Sequence, residues 1–294
     1  MHFGLIYLAG RIIGMGLERP LVKRLAVGRD PSAATTLYVG LGELFFAAII
    51  AFQALRQPGY FDGLLAWLPL ALIPGLLYAV SFHTFIRAMR VGEVSLLTPL
   101  FATGFIMMYA YDVAAGFQPL SWLPLSGVLL VSVGVGFLHP AHEMDWRRLL
   151  NLGWVLKQPG AVLMLLNAFS VATGRFIDKT LAPTAPPELY ALVVNAPAVL
   201  IGLALLSARR NLTALPKLLG ERLGIAVALV FFGQGAFLLL LFSLDYFPPS
   251  VVEPVTQLGV FIAIAFGGLW FGEPVRARWL PSAMVVAGAV LLLV

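Results

Sequence analysis

The chain has no cysteine, so disulfides, thiol catalysis and thiolate metal sites are excluded. Charge is scarce too. Only 11% of the 294 residues are Asp, Glu, Lys or Arg, against 60% hydrophobic residues and a mean hydropathy of +0.93. So little polar surface cannot cover a water-soluble globule. Short alternating barrel strands are missing as well. Apolar runs instead reach about 18 to 22 residues, the length a helix needs to cross a hydrocarbon core of roughly 30 Å. Within these runs there is no phosphate loop and no His-rich or Asp-rich motif, which argues against an intramembrane enzyme and implies no cofactor. The amino-terminal stretch MHFGLIYLAGRIIGMGLERP lacks a basic n-region and carries Arg11 inside its apolar run. It reads as a first span rather than a cleaved signal peptide.

With Pro, Gly and charge clusters as breaks, the chain predicts ten spans, at about 3–25, 33–55, 64–86, 94–115, 120–139, 158–181, 188–208, 222–243, 249–271 and 276–294. The polar connection 140–157 suits a short interfacial helix. It divides the chain into a first five-helix half, 1–139, and a second, 158–294. Fourteen Lys and Arg fall in loops 1–2, 3–4, 5–6, 7–8 and 9–10, whereas the other side holds Arg56 and Lys179. The net charge of +5 therefore follows the positive-inside rule rather than a nucleic-acid patch, and the rule puts both termini outside.

The halves resemble each other. A shift of 156 residues aligns Arg19 with Arg175, Lys23 with Lys179 and Pro31 with Pro187; one residue of slippage then aligns Ser95 with Ser250 and Pro99 with Pro254. Because five is odd, the second copy enters from the opposite side. Inverted repeats of this kind are how many secondary transporters are built, closing on either side of one central site.

The chain resembles the drug/metabolite transporter superfamily, EamA-like branch. The likeness rests on ten spans in two copies, small residues through the first span, and a Ser-x-x-x-Pro motif in the fourth. It also rests on the endings GFQPLSWLPLSGVLLVSVGVGFL and FGEPVRARWLPSAMVVAGAVLLLV, and is most specific over 237–294, where EPV, FGEP and AGAVLLL recur in order. It implies an all-α, multi-pass carrier of the inner membrane that moves small metabolites, often outward, through a cavity between two halves. Many ten-helix members keep both termini in the cytoplasm, so the lysine and arginine count departs from them.

Charged side chains within spans cost about 2.5 to 3.5 kcal/mol each near the centre, so they face a cavity or a partner. The first span offers Arg11 and Glu18 on one face, with Arg19 near its end, and Gly10-x-x-x-Gly14 as a helix-packing stripe. The sixth has Arg175, Asp178 and Lys179 at i, i+3 and i+4. That spacing fits an internal ion pair, or cations that attract an anionic or zwitterionic substrate. The third has Tyr78, His83 and Arg87; His83 is either hydrogen-bonded or a proton carrier. His139 and His142 have no carboxylates placed to complete a metal site. Thr98 in the fourth span stands where Glu253 stands in the ninth, and Gln234 in the eighth lies between two glycines. Glu253 has two readings. Before Pro254 it sits in a first helical turn and caps it, or, one turn from Gln257, it meets substrate and protons.

These features predict a monomeric secondary transporter in contact with membrane lipids. It exports or exchanges a small polar or amphipathic metabolite such as an amino acid, and Glu253, Glu18 and His83 are the proton carriers if protons are the coupling ion. The alternative is an organic-anion or phosphorylated-substrate exchanger using Arg11, Arg19, Arg175 and Lys179, or a flippase for a lipid-linked headgroup.

Overall fold

In the computed structural model, residues 2–92, 94–137, 152–271 and 279–294 are described. Helices are the only regular elements among them. They are α1 His2–Ala26, α2 Pro31–Arg56, α3 Leu64–Val91, α4 Val94–Ala114, α5 Trp122–Phe137, α6 Leu152–Val155, α7 Ala161–Leu181, α8 Pro187–Ala208, α9 Ala214–Leu229, α10 Gly235–Leu244, α11 Pro249–Thr256, α12 Val260–Phe271 and α13 Trp279–Leu293. A π turn, Val230–Gln234, joins α9 to α10, and a 3₁₀ turn, Gln257–Gly259, joins α11 to α12. Apart from α6, which lies in the connection 140–157, each described helix overlaps a stretch that the sequence predicted as a span. Among the described residues, seven stretches are long and apolar enough to cross a membrane: Ser32–Arg56, Leu64–Met89, Leu97–Ala114, Ala161–Thr184, Pro187–Ala208, Ala214–Leu244 and Pro249–Trp270. α1 carries five charges, and α5 and α13 are shorter, with 16 and 15 residues. Large apolar side chains point outward from many helices, Leu55, Leu65 and Trp122 each more than four-fifths exposed. Water would make such a surface costly, whereas lipid tails are as apolar as leucine.

Local rules explain several ends. Asp30 caps α2, its Oδ1 accepting from the Ser32 amide at 2.9 Å, with Pro31 supplying a preset φ in the first turn. α9 is kinked at Arg222, whose φ of −134° is not helical. Its guanidinium donates to the carbonyls of Arg24, Leu25 and Val27, satisfying the open end of α1. The segment 140–151 lies outside the described residues. α6, which follows it, buries Val155 with Ala88, Leu97 and Ala161.

The chain divides into two compact units, Met1–Ala79 with Ile177–Tyr246, and Val80–Phe176 with Phe247–Val294. Each takes segments from both sequence halves. In the first, α2 packs on α8 and α1 on α9 and α10. A Cβ on Gly10 would stand 2.8 Å from Leu239, and one on Gly14 2.7 Å from Ala236 and from the Phe232 carbonyl. The Gly10-x-x-x-Gly14 stripe is therefore a packing face, as its spacing implies. In the second unit, α5 packs on α13 and α4, and α11 on α4. Gly127 and Gly288 meet backbone to backbone: a Cβ on either would lie 2.9 or 2.6 Å from the other's carbonyl oxygen, and one on Gly134 2.8 Å from that of Pro281. Partner numbers fall as glycine numbers rise, so α5 and α13 are antiparallel, and the same holds for α1 with α10.

Close backbone contact gives a direct test. Gly288→Val forces α5 and α13 apart and lowers the detergent melting temperature by an amount corresponding to about 1–3 kcal/mol. Gly220→Ala, with no heavy atom within 4 Å of its Cβ, does not lower the melt, since alanine favours a helix interior over glycine. Equal melts for both variants would contradict this packing.

Candidate functional site

In the second unit, α11 opens on Pro249 with Pro248 before it, so Glu253 is the fifth residue and belongs to the second turn. Its carboxylate oxygen Oε1 takes a hydrogen bond from Arg175 Nε on α7 at 2.6 Å; the side chains are 9% and 14% exposed. The capping reading of Glu253 is thus corrected. The carboxylate at this helix start is Asp112 of α4, fully buried, whose Oδ2 accepts the Ser250 amide at 2.7 Å. Ser250 Oγ donates to Gln118 Oε1, also at 2.7 Å. Asp112 meets the open amides and the positive end of the helix dipole. Glu253 is left to hold a cation.

Past Glu253 the helix tightens. Pro254 has no amide to give, the Thr256 hydroxyl bonds back to the Val252 carbonyl at 2.5 Å, and the 3₁₀ turn follows. Gln257, 4% exposed, turns its Nε2 to the Glu253 carbonyl at 3.4 Å. Proline therefore sits inside the helix in both proposed repeat copies, Pro99 in α4 and Pro254 in α11, rather than at its entrance. Thr98 and His83 are half-buried. Also in this unit, Asn167 of α7 donates to both the carbonyl and the hydroxyl of Ser81 on α3, at 2.9 and 2.7 Å.

The next turn of α7 belongs to the first unit. Asp178 is fully buried and accepts from two phenols, Tyr78 at 2.5 Å and Tyr190 at 2.7 Å. Lys179 donates to the Leu244 carbonyl at the end of α10. Beyond that end, burial pushes the Asp245 carboxyl above its ordinary range, with Lys179 opposing. In the same unit, the pKa of the Tyr60 hydroxyl is raised by burial and by its 2.6 Å bond to Glu188.

Arg11, 2% exposed, donates to the Ala236 carbonyl at 3.1 Å, using a second lone pair that a helix ladder leaves open. Glu18 accepts from Tyr38 Oη at 2.9 Å. Gln234 ends the π turn, 3% exposed; its Oε1 accepts from Asn195 at 3.0 Å, and it fills the space that Gly42 leaves. Arg19 is exposed, unlike its counterpart Arg175 in the sequence alignment. The sequence-selected residues thus gather as an Arg175–Glu253 group in one unit and as Asp178, Arg11–Glu18 and Gln234 groups in the other. His139, His142 and the Gly272-Glu273-Pro274 part of the FGEP motif lie outside the described residues. Among those described, no cluster of His, Asp or Glu could hold a metal ion.

Sequence reasoning missed Asp112, Tyr38, Tyr190, Asn195 and Glu43. Asp112 and Glu43 carried the same signal as Arg11, a charge inside an apolar run. The neutral partners carried none.

Residues 158–294, which contain Arg175, the broken ninth span and the α13 packing face, match the EamA-like transporter family. The match covers the second sequence half, just under half of the chain. Twenty-eight chains of solved structures also match. One, described only as the crystal structure of a protein, superposes with a TM-score of 0.70 over 96% of this chain and 96% of its own, at 13% identity. That likeness shows the fold. No curated protein matches. Seven membrane-length helices among the described residues and an EamA-like segment fit a multi-pass membrane protein.

The division of labour at α11 is testable. Asp112→Ala removes its cap and costs about 1–2 kcal/mol, seen as a lower melting temperature of the purified protein. An unchanged melt would show that Asp112 does not hold the helix start.

Proposed function

We propose that the protein is a secondary transporter that exports or exchanges a small zwitterionic metabolite, such as an amino acid, by alternating access. The observation that carries this is the Arg175–Glu253 pair, a guanidinium and a carboxylate 2.6 Å apart and largely shielded from solvent. An amino acid presents an ammonium and a carboxylate of its own. It can exchange partners with such a pair without leaving either buried charge uncompensated, which would cost about 3–5 kcal/mol. Pro254 and the 3₁₀ turn interrupt the α ladder after Glu253, as broken helices do at carrier binding sites.

The reading includes ten spans in two inverted five-helix repeats, 1–139 and 158–294, in a monomer with both termini outside the inner membrane. The packing supports it. Spans equivalent under the repeat lie against each other, α2 on α8, α4 on α11 and α5 on α13, and antiparallel α5 and α13 fit an even number of crossings. In the second unit, Thr98, Gln257 and His83 are proposed as substrate or coupling residues beside Arg175 and Glu253. In the first unit, the proposed candidates are Gln234, Tyr78, Asp178, Arg11, Glu18, Arg19 and Lys179.

A metabolite panel tests this. Solute at about 100 times its Kd stabilises the native state by about 2.7 kcal/mol, so amino acids and related zwitterions raise the melting temperature of the purified protein. The same compounds show saturable counterflow in proteoliposomes. Stabilisation by phosphorylated compounds alone, or ion conductance without counterflow, would overturn the reading.

A further inference from the structure

α2 carries one charge between its ends, Glu43, thirteen residues into a helix of 26. The helix is one of the seven long enough to cross a membrane, which puts Glu43 near mid-depth. Its Oε1 is fully enclosed and accepts no hydrogen bond. Its neighbour Gly42 lies against Gln234, and Gln234 is bound to Asn195 of α8.

The chargeable groups of the elements packed against α2 are held elsewhere. On α1, Arg11 binds the Ala236 carbonyl and Glu18 binds Tyr38, the one titratable phenol on α2 itself, while Arg19, Lys23 and Arg24 are exposed. On α8, Glu188 binds Tyr60 and Tyr190 binds Asp178. On α9, Glu221 pairs with Arg29, Arg222 binds the end of α1, and Lys217 lines a pocket of about 360 Å³ at the loops. The π turn brings no charge.

We propose that Glu43 is the proton-binding residue of the transport cycle. The proposal rests on the transporter reading above and replaces two of the proton carriers that the sequence suggested. Glu253 has Arg175 and Glu18 has Tyr38, so their charge is met by protein donors. Glu43 has a buried oxygen that no protein donor meets. An intramembrane carboxylate at this depth is costly to keep ionised, and binding one proton removes the charge without a second side chain. The reaction is a plain protonation of the carboxylate, reversed when the site opens to the side of lower proton concentration.

Two measurements test it. In proteoliposomes, Glu43→Gln abolishes solute accumulation driven by a pH gradient and leaves counterflow of the same solute intact, while Glu43→Asp keeps proton-driven accumulation with a shifted pH profile. Accumulation by Glu43→Gln at the wild-type level, or wild-type accumulation driven by sodium instead, would overturn the proposal. Separately, dicyclohexylcarbodiimide, which reacts with protonated carboxyls in apolar surroundings, modifies Glu43 in the purified protein, less so as pH rises and not at all in Glu43→Gln. Absence of modification at every pH would also overturn it. The labelling needs no substrate, so a failure of the transporter reading, in which no solute is carried by the wild type, is told apart from a failure of this one.

Discussion

A charge inside an apolar helix needs a partner, and in this chain that need fixes which helices touch where. A lone ion in hydrocarbon is so expensive that the fold spends its few polar groups on meeting it. Arg175 meets Glu253, Asp178 meets two tyrosines, Glu18 meets another, and Arg11 and Lys179 meet backbone carbonyls. Some of these bonds tie together helices far apart in the sequence, as Arg175 with Glu253 and Arg11 with Ala236 do. Hydrophobicity cannot perform this task here, because lipid tails offer a leucine as much as another leucine does.

Two further devices serve the same end. Glycines let backbones approach until carbonyl and Cα touch, as Gly127 and Gly288 do, which supplies dense van der Waals contact where the hydrophobic effect is weak. Departures from the α ladder then aim polar groups inward. The π turn ends on Gln234, and the turn after Glu253 carries Gln257. Both breaks fall in the segment 158–294, which matches the EamA-like family. π turns are rare and concentrate at functional sites.

Much of the fold was legible in the sequence. Length and apolarity alone limit such runs to helices, and the packing role of Gly10 and Gly14 followed from their spacing. Less of the site was. Arg175, Asp178 and Lys179 are neighbours on α7, and spacing suggested that they answer one another or a substrate; Arg175 is met by a carboxylate 78 residues away. No local pattern encodes a partner chosen by tertiary packing. The start of α11 was misjudged for a related reason. Pro254 looked like a first-turn proline, but Pro249 already fills that place, and an internal proline is tolerated in a membrane helix because neighbours satisfy what it frees. With Pro249 as the first helical residue, Glu253 lost its claim to the cap, and Asp112 took it from another helix.

These observations converge on Glu253, a carboxylate that the helix does not need for its own end and that the fold nonetheless keeps beside a buried guanidinium. The most direct measurement is therefore counterflow of a stabilising zwitterion by Glu253→Gln, in protein whose folding is verified by circular dichroism. The expected result is a folded transporter that no longer exchanges solute. A folded Glu253→Gln that exchanges like the wild type would contradict a role for the ion pair in transport.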